Sequence, residues 1–199
     1  MGNQQERQLT QARLAMLYDC EGYITLRMVQ PDKHRKQGRI VPIICVSNTS
    51  QKLLDWVTAA FAMLELPHYI QWTKAHGLGK LPQWRLTVQG VGRVSKLLPH
   101  LIPYLVIKLE NALLVQEFVT SRLQAKVTDS YSDRELNLAL TARGLAQKGK
   151  HWEPESSETI RQIEQFREFV RHGNGSNDIV RSRPRKHGSE AEMTSPAIN

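Results

Sequence analysis

The chain has 199 residues, with 27 lysines and arginines against 19 aspartates and glutamates, a formal net charge of +8 at pH 7. Apolar residues make up 40% of it, enough to bury a core, which excludes global disorder, and no apolar stretch reaches membrane-spanning length. Two cysteines, Cys20 and Cys45, with no CxxC pair, exclude a disulfide framework and argue against a structural zinc site.

Residues 7–19 read as a helix, because Leu9, Ala12, Arg13, Ala15, Met16 and Leu17 form a wide, mostly apolar face at helical spacing. Gly22 breaks it, and its freedom of φ suits a sharp turn. From Tyr23 to Gln30 the pattern alternates, with Ile24, Leu26 and Met28 on one face and Thr25, Arg27 and Val29 on the other, as in a half-buried strand. Residues 31–38 form a charged connection to a second strand, Ile40 to Ser47, rich in β-branched residues. Asn48-Thr49-Ser50 is a capping run ahead of a helix carrying Leu53, Leu54, Trp56, Val57, Phe61 and Leu64, which ends before Pro67.

His68 to Lys74 and Gln83 to Gln89 read as two further strands, with Trp72 and Trp84 in the inward phase and expected in the core. Helices follow over 91–101 and 105–123. Ser132-Asp133-Arg134-Glu135 starts another, running to about Lys148. Ser156-Ser157-Glu158 starts a last one, with Ile160, Ile163, Phe166, Phe169 and Val170 on one face. From Gly173 the composition is that of a disordered basic tail. The expected organisation is an α+β core of αββαββα order over 1–123, a helical extension over 124–172 and a tail over 173–199, with no internal repeat of the core.

The charge favours a polyanionic partner. Lys33, Arg35, Lys36 and Arg39 cluster where the first hairpin turns, and a second basic cluster lies in the tail. The polar N-terminal segment, without an apolar signal region, points to an intracellular protein. One stretch carries chemistry: Leu14-Ala15-Met16-Leu17-Tyr18-Asp19-Cys20-Glu21-Gly22 ends a helix with acids at the edge of a sheet. A carboxylate there is a reasonable divalent-metal ligand. On chemistry alone, a merely solvated helix-end acid is the favoured reading.

That stretch, followed by Tyr23-Ile24-Thr25-Leu26, resembles the motif of the LAGLIDADG homing endonucleases. Leu14, Ala15, Leu17, Asp19, Glu21 and Gly22 fit it, whereas Met16 and Cys20 replace small motif residues. Val46-Ser47-Asn48-Thr49 and Pro103-Tyr104-Leu105-Val106-Ile107-Lys108 resemble two companion segments of that family, and the αββαββα order is its fold. The resemblance covers residues 7–123. It implies a metal-dependent double-strand break in DNA, made by two motif helices side by side. With one motif per chain, it implies a homodimer on a pseudo-palindromic site.

Residue by residue, the resemblance implies that Glu21 holds Mg²⁺, or another divalent ion such as Mn²⁺, with help from the Cys20 carbonyl. It implies that Asn48 orders water, that Lys108 stabilises phosphate charge and that Lys52 adds a further basic group. Asn48 reads equally well as an N-cap, and Asp19 reads as structural. The outward sheet face then supplies the DNA contacts. By alternation these are Thr25, Arg27, Val29, Arg39, Gln71, Thr73, Gln83, Arg85 and Thr87, with Lys33, Arg35 and Lys36 on phosphates. Val41 and Ile43 also face outward; these apolar side chains suit thymine methyls, or else mark a strand register shifted by one residue. Two other readings of the same fold are a non-cleaving DNA-binding regulator and a splicing maturase with intron RNA as partner. The pairing of Glu21 with Lys108 argues against the first.

Overall fold

Alternating burial along Gly22–Val29, with Ile24 and Leu26 buried and Arg27 exposed, marks β1 as a strand with one face on the core. The computed structural model describes residues 2–29, 38–73, 81–125 and 130–146, with the helical positions Arg161, Glu164 and Glu168 beyond them. The elements run α1 (Gly2–Glu21), β1 (Gly22–Val29), β2 (Arg39–Asn48), α2 (Gln51–Met63), β3 (Tyr69–Thr73) and β4 (Gln83–Gln89). They continue as α3 (Val91–Leu101), a 3₁₀ turn (Ile102–Tyr104), α4 (Leu109–Gln124) and α5 (Asp133–Ala146). The expected α+β class and αββαββα order are what forms. The tip of the first hairpin, with Lys33, Arg35 and Lys36, lies outside the described residues, as do the expected helix after Ser156 (apart from those three positions) and the tail. No described helix is long and apolar enough to cross a membrane.

The four strands form one antiparallel sheet in the order β1-β2-β4-β3. Helices α1 to α4 bury large side chains against its inner face. Leu14, Ala15 and Tyr18 of α1 join Ile24, Leu26, Ile44, Val46, Trp84, Leu86 and Val88 of the sheet in one cluster with Val57 and Phe61 of α2 and Leu97, Leu98, Val115 and Phe118 of α3 and α4. Each such side chain contributes roughly 1.5–3 kcal/mol on leaving water. The indole of Trp84 is completely buried and donates its N–H to the Ser50 carbonyl at 2.9 Å, so its one polar atom is satisfied.

The edge strands are treated differently. Along β1, α5 closes the edge: Leu136, Leu138, Ala139 and Ala142 belong to the common core, and Asn111 of α4 donates to the carbonyls of both Ile24 and Ala142. The start of α5 is a reciprocal capping box, in which Ser132 Oγ accepts the Glu135 N–H at 3.2 Å and Glu135 Oε2 accepts the Ser132 N–H at 2.8 Å. At the other edge, none of the described elements gives β3 such a cover. Trp72, expected in the core on phase alone, is 57% exposed, although its cross-strand partner Trp84 is fully buried. Phase assigns a side chain to a face, but only a covering element buries it.

Two local expectations need correction. The helix expected from 105 begins at Leu109, because Ile102–Tyr104 form a 3₁₀ turn and Leu105 is extended. Gly22 does not have a positive φ, which among the described glycines occurs only at Gly90. What requires glycine there is space: a Cβ would lie 2.5 Å from Tyr18 Cδ1 and 3.0 Å from the Cys45 carbonyl oxygen.

Candidate nucleic-acid interface and catalytic centre

The last turn of α1 carries two carboxylates with opposite surroundings. Asp19 is 8% exposed, and both its oxygens are engaged: Oδ2 accepts the Val106 N–H and Oδ1 the Lys108 N–H, each at 2.8 Å. Asp19 is therefore structural, as its sequence context suggested. Glu21, the last residue of the helix, is exposed beside Cys20, itself exposed. Of the two acids, Glu21 is the one able to take a new ligand.

Lys108 reaches this helix end from far along the chain. It is the N-cap residue of α4, and its ammonium donates to the carbonyl of Tyr18 at 2.8 Å and also to the carbonyl of Asp19. A cation at a helix C-terminus meets carbonyls with no intrahelical partner and the negative end of the helix dipole. Burial lowers the pKa of Lys108, and the charges of Asp19, Cys20 and Glu21 act in the opposite sense.

Asn48 and Lys52 lie at the same end of the sheet. Gly22 pairs with Val46, so the end of β2 at Asn48 runs alongside the α1–β1 junction. Asn48 does not cap α2: its Oδ1 accepts the Ser50 N–H at 2.9 Å, and Ser50 is the N-cap, accepting from Leu53. Lys52 is exposed in the first turn of α2. The sequence-predicted set is thus divided between α1 with Lys108 and the β2–α2 corner. Among the described residues, no three His, Cys, Asp or Glu side chains come together as a metal site. One exposed carboxylate next to a helix-terminal carbonyl is an all-oxygen donor pair of the kind hard divalent cations prefer.

The outward sheet face is the other half of the candidate site. Strand register confirms its phase: Arg27 pairs with Val41, Thr25 with Ile43, Val29 with Arg39, and Gln71 with Arg85. Arg27, Arg39, Gln71 and Arg85 are exposed, and Val29, Gln83 and Thr87 are half-buried. Thr73 is in register with Gln83, and its side chain lies outside the described residues. Two members are less available than alternation suggested. The Thr25 hydroxyl donates to the Ala142 carbonyl of α5 at 3.4 Å, and that of Thr87 to Cys45 Sγ at 3.6 Å. Ile43 does face outward, but it is only 4% exposed on the central strand, so it forms the floor of the face. Val41 is half-buried.

Alternation also places five residues on this face that the sequence reading passed over: Tyr23, Cys45, Ser47, Tyr69 and Gln89. Tyr23, Cys45, Thr87 and Tyr69 form one row across all four strands, with Tyr23 and Tyr69 exposed at its ends. Ser47 and Gln89 share the same phase. The period-2 signal that selected Thr25 and Gln71 applies equally to Tyr23 and Tyr69.

Comparison with known proteins places the fold. The homing endonuclease I-CvuI in complex with its target, in the presence of Ca, superposes with a TM-score of 0.56 at 18% identity over 84% of this chain and 96% of its own. The archaeal intron-encoded homing endonuclease I-Vdi141I complexed with DNA superposes with a TM-score of 0.56 at 12% identity, over 80% of this chain and 97% of its own. The LAGLIDADG homing endonuclease I-SmaMI bound to cleaved DNA gives 0.53 at 17% identity, over 78% of this chain and 48% of its own. No family model and no curated protein sequence matches the chain. At these identities the shared property is the fold: the chain has the LAGLIDADG homing endonuclease fold.

Proposed function

We propose that this chain is a site-specific double-stranded DNA endonuclease that acts as a homodimer. The observation that carries the reading is the end of α1, where Glu21 is exposed while Asp19 is fully engaged and Lys108 is delivered to the same helix terminus. A regulator on the same fold needs neither an available acid nor a lysine there. The fold comparisons add support, since each of the three proteins named is a homing endonuclease described with DNA.

In this reading, Glu21 and the Cys20 carbonyl of each protomer would hold a divalent cation, and two copies complete what one chain leaves half-built. The bound ion supplies Lewis acidity at the phosphate and lowers the pKa of water. The chain's own residues do the remainder. Lys108 places positive charge beside the phosphate where negative charge develops. Asn48, and Lys52 from the adjoining helix turn, face the same end of the sheet and orient water and backbone. Arg27, Arg85, Gln71 and Gln83 present long polar side chains to base edges in the major groove. Arg39, with Lys33, Arg35 and Lys36 at the hairpin, contacts phosphates.

The homodimer rests on surface chemistry and proportion. Leu9, Met16, Val106 and Ile107 are exposed apolar residues along α1 and the turn that packs on its end; Met16 is 68% and Val106 80% exposed. The chain corresponds to nearly all of one homing endonuclease and to about half of another. The test is cleavage of the duplex joining the two flanks of the gene's insertion site, with Mg²⁺ and with EDTA, for the native chain and Glu21→Gln. A specific Mg²⁺-dependent double-strand cut that the variant loses supports the proposal. Tight binding with no cut by the native chain moves it to the regulator or maturase reading, with RNA of the same locus as the next ligand.

A further inference from the structure

We infer that Asp19 is a positioning residue whose carboxylate sets Lys108 on the end of α1 and acts on strand scission only through that lysine; the inference rests on the endonuclease reading. Asp19 and Lys108 are far apart in the chain, yet the two side chains hold each other's backbones. The Asp19 carboxylate takes the N–H groups of Val106 and Lys108, while the Lys108 ammonium takes the carbonyls of Tyr18 and Asp19. These bonds close a loop between the last turn of α1 and the turn that precedes α4. Little else can fix that turn: Val106 and Ile107 are 80% and 73% exposed, and Leu105 is the residue of the turn that enters the core.

The carboxylate is suited to this work and unsuited to metal binding. A charged acceptor strengthens both N–H bonds, and at 8% exposure, with each oxygen already accepting a backbone N–H, the carboxylate is poorly placed for a cation. The motif's two acids thus have separate tasks. Glu21 faces outward to the shared centre, and Asp19 faces inward and aims the amine. A lysine has four rotatable side-chain bonds, so anchoring its backbone is what limits the positions its amine can reach. Displacement of a reacting group by about 1 Å costs on the order of 10²-fold in rate.

Asp19→Asn keeps the shape but turns an amide NH₂ toward one backbone N–H. Three readouts test the inference: cleavage rate, duplex affinity, and acylation of Lys108 by an N-hydroxysuccinimide ester followed by peptide mass spectrometry. We expect a loss of about 10²-fold in rate, affinity within a few-fold, and clearly faster labelling of Lys108. In a Lys108→Met background, Asp19→Asn should then cost almost nothing more, because the pair acts as a unit. Additive losses, or unchanged labelling of Lys108, would overturn the inference. Val106→Pro removes one of the two N–H donors without touching α1, and the extended Leu105 before it (φ −71°, ψ 140°) suits a following proline. It should also raise Lys108 labelling, and unchanged labelling in this variant counts against the inference even if Asp19→Asn fails to fold. Should the native chain not cut the duplex, the endonuclease reading fails, and labelling alone decides whether Asp19 holds Lys108.

Discussion

At the end of α1, chemistry is decided residue by residue. Three consecutive positions, Asp19, Cys20 and Glu21, are one engaged acid, one exposed thiol-bearing residue and one exposed acid. Glu21→Gln removes a charge from an exposed side chain with no packing role, so it should abolish cutting while leaving duplex affinity within a few-fold; retained cutting would remove Glu21 from the catalytic set. Gly22→Ala tests packing. Its methyl group would meet Tyr18 Cδ1 at 2.5 Å and the Cys45 carbonyl at 3.0 Å, and overpacking of this kind costs about 1–3 kcal/mol, readable as a lowered denaturation midpoint. Tyr18 makes the opposite prediction. Its ring is fully buried, its hydroxyl has no hydrogen-bond partner among the described residues, and burial raises its pKa. A buried unsatisfied hydroxyl is a cost, so Tyr18→Phe should leave stability unchanged or raise it by about 1 kcal/mol.

At the scale of elements, the sheet's two edges explain what its faces can do. The β1 edge is closed by α5, whose apolar residues enter the common core and whose carbonyl at Ala142 takes bonds from Asn111 and Thr25. The capping box that starts α5 holds this cover in place. Ser132→Ala removes the acceptor for the Glu135 N–H and should cost about 1 kcal/mol, seen both in global denaturation and as faster hydrogen exchange in α5. Equal exchange in native and variant chains would show that α5 is held by its packing alone. Among the described residues the β3 edge has no comparable cover, and Trp72 is exposed on the inner face and Tyr69 on the outer. The outer face itself divides into a floor, Ile43 and Cys45, and a rim of exposed arginines, glutamine and tyrosines. Short central-strand side chains such as Ile43 and Cys45 are shielded by neighbours on both sides, so long side chains, that of Arg85 on central β4 included, are the ones that rise above this floor.

At the scale of the whole molecule, the proposed function asks a second copy to complete the cation site and to cover the exposed apolar residues of α1 and the 105–108 turn. Sedimentation should then give about twice 22.8 kDa. Met16→Lys combined with Ile107→Lys puts like charges into the shared surface and should shift the protein to monomer and abolish double-strand cutting. A native monomer even with duplex present would overturn the dimer. The net charge of +8 also predicts that duplex affinity falls steeply with salt, because binding releases counterions from phosphate.

Much of this was legible in the chain itself. Period-2 and period-3.6 patterning locate α3 at Val91–Leu101 and both hairpins, because each side chain's face follows from local geometry alone. The capping signals at Ser50 and at Ser132 with Glu135 are local in the same way, and so is the motif that ends at Gly22. The remainder depends on contacts between residues distant in sequence. No local pattern states that Asp19 accepts the N–H groups of Val106 and Lys108, that Gly22 must be bare because Tyr18 and Cys45 crowd it, or that Trp84 is covered while Trp72 is not. Sequence alone determined the elements, the phase of each strand and the candidate acids, since those are properties of short stretches. Tertiary structure decided which backbone groups engage Asp19, where the lysine's amine lies and which inward-facing side chain is buried, because each depends on what another part of the chain brings alongside.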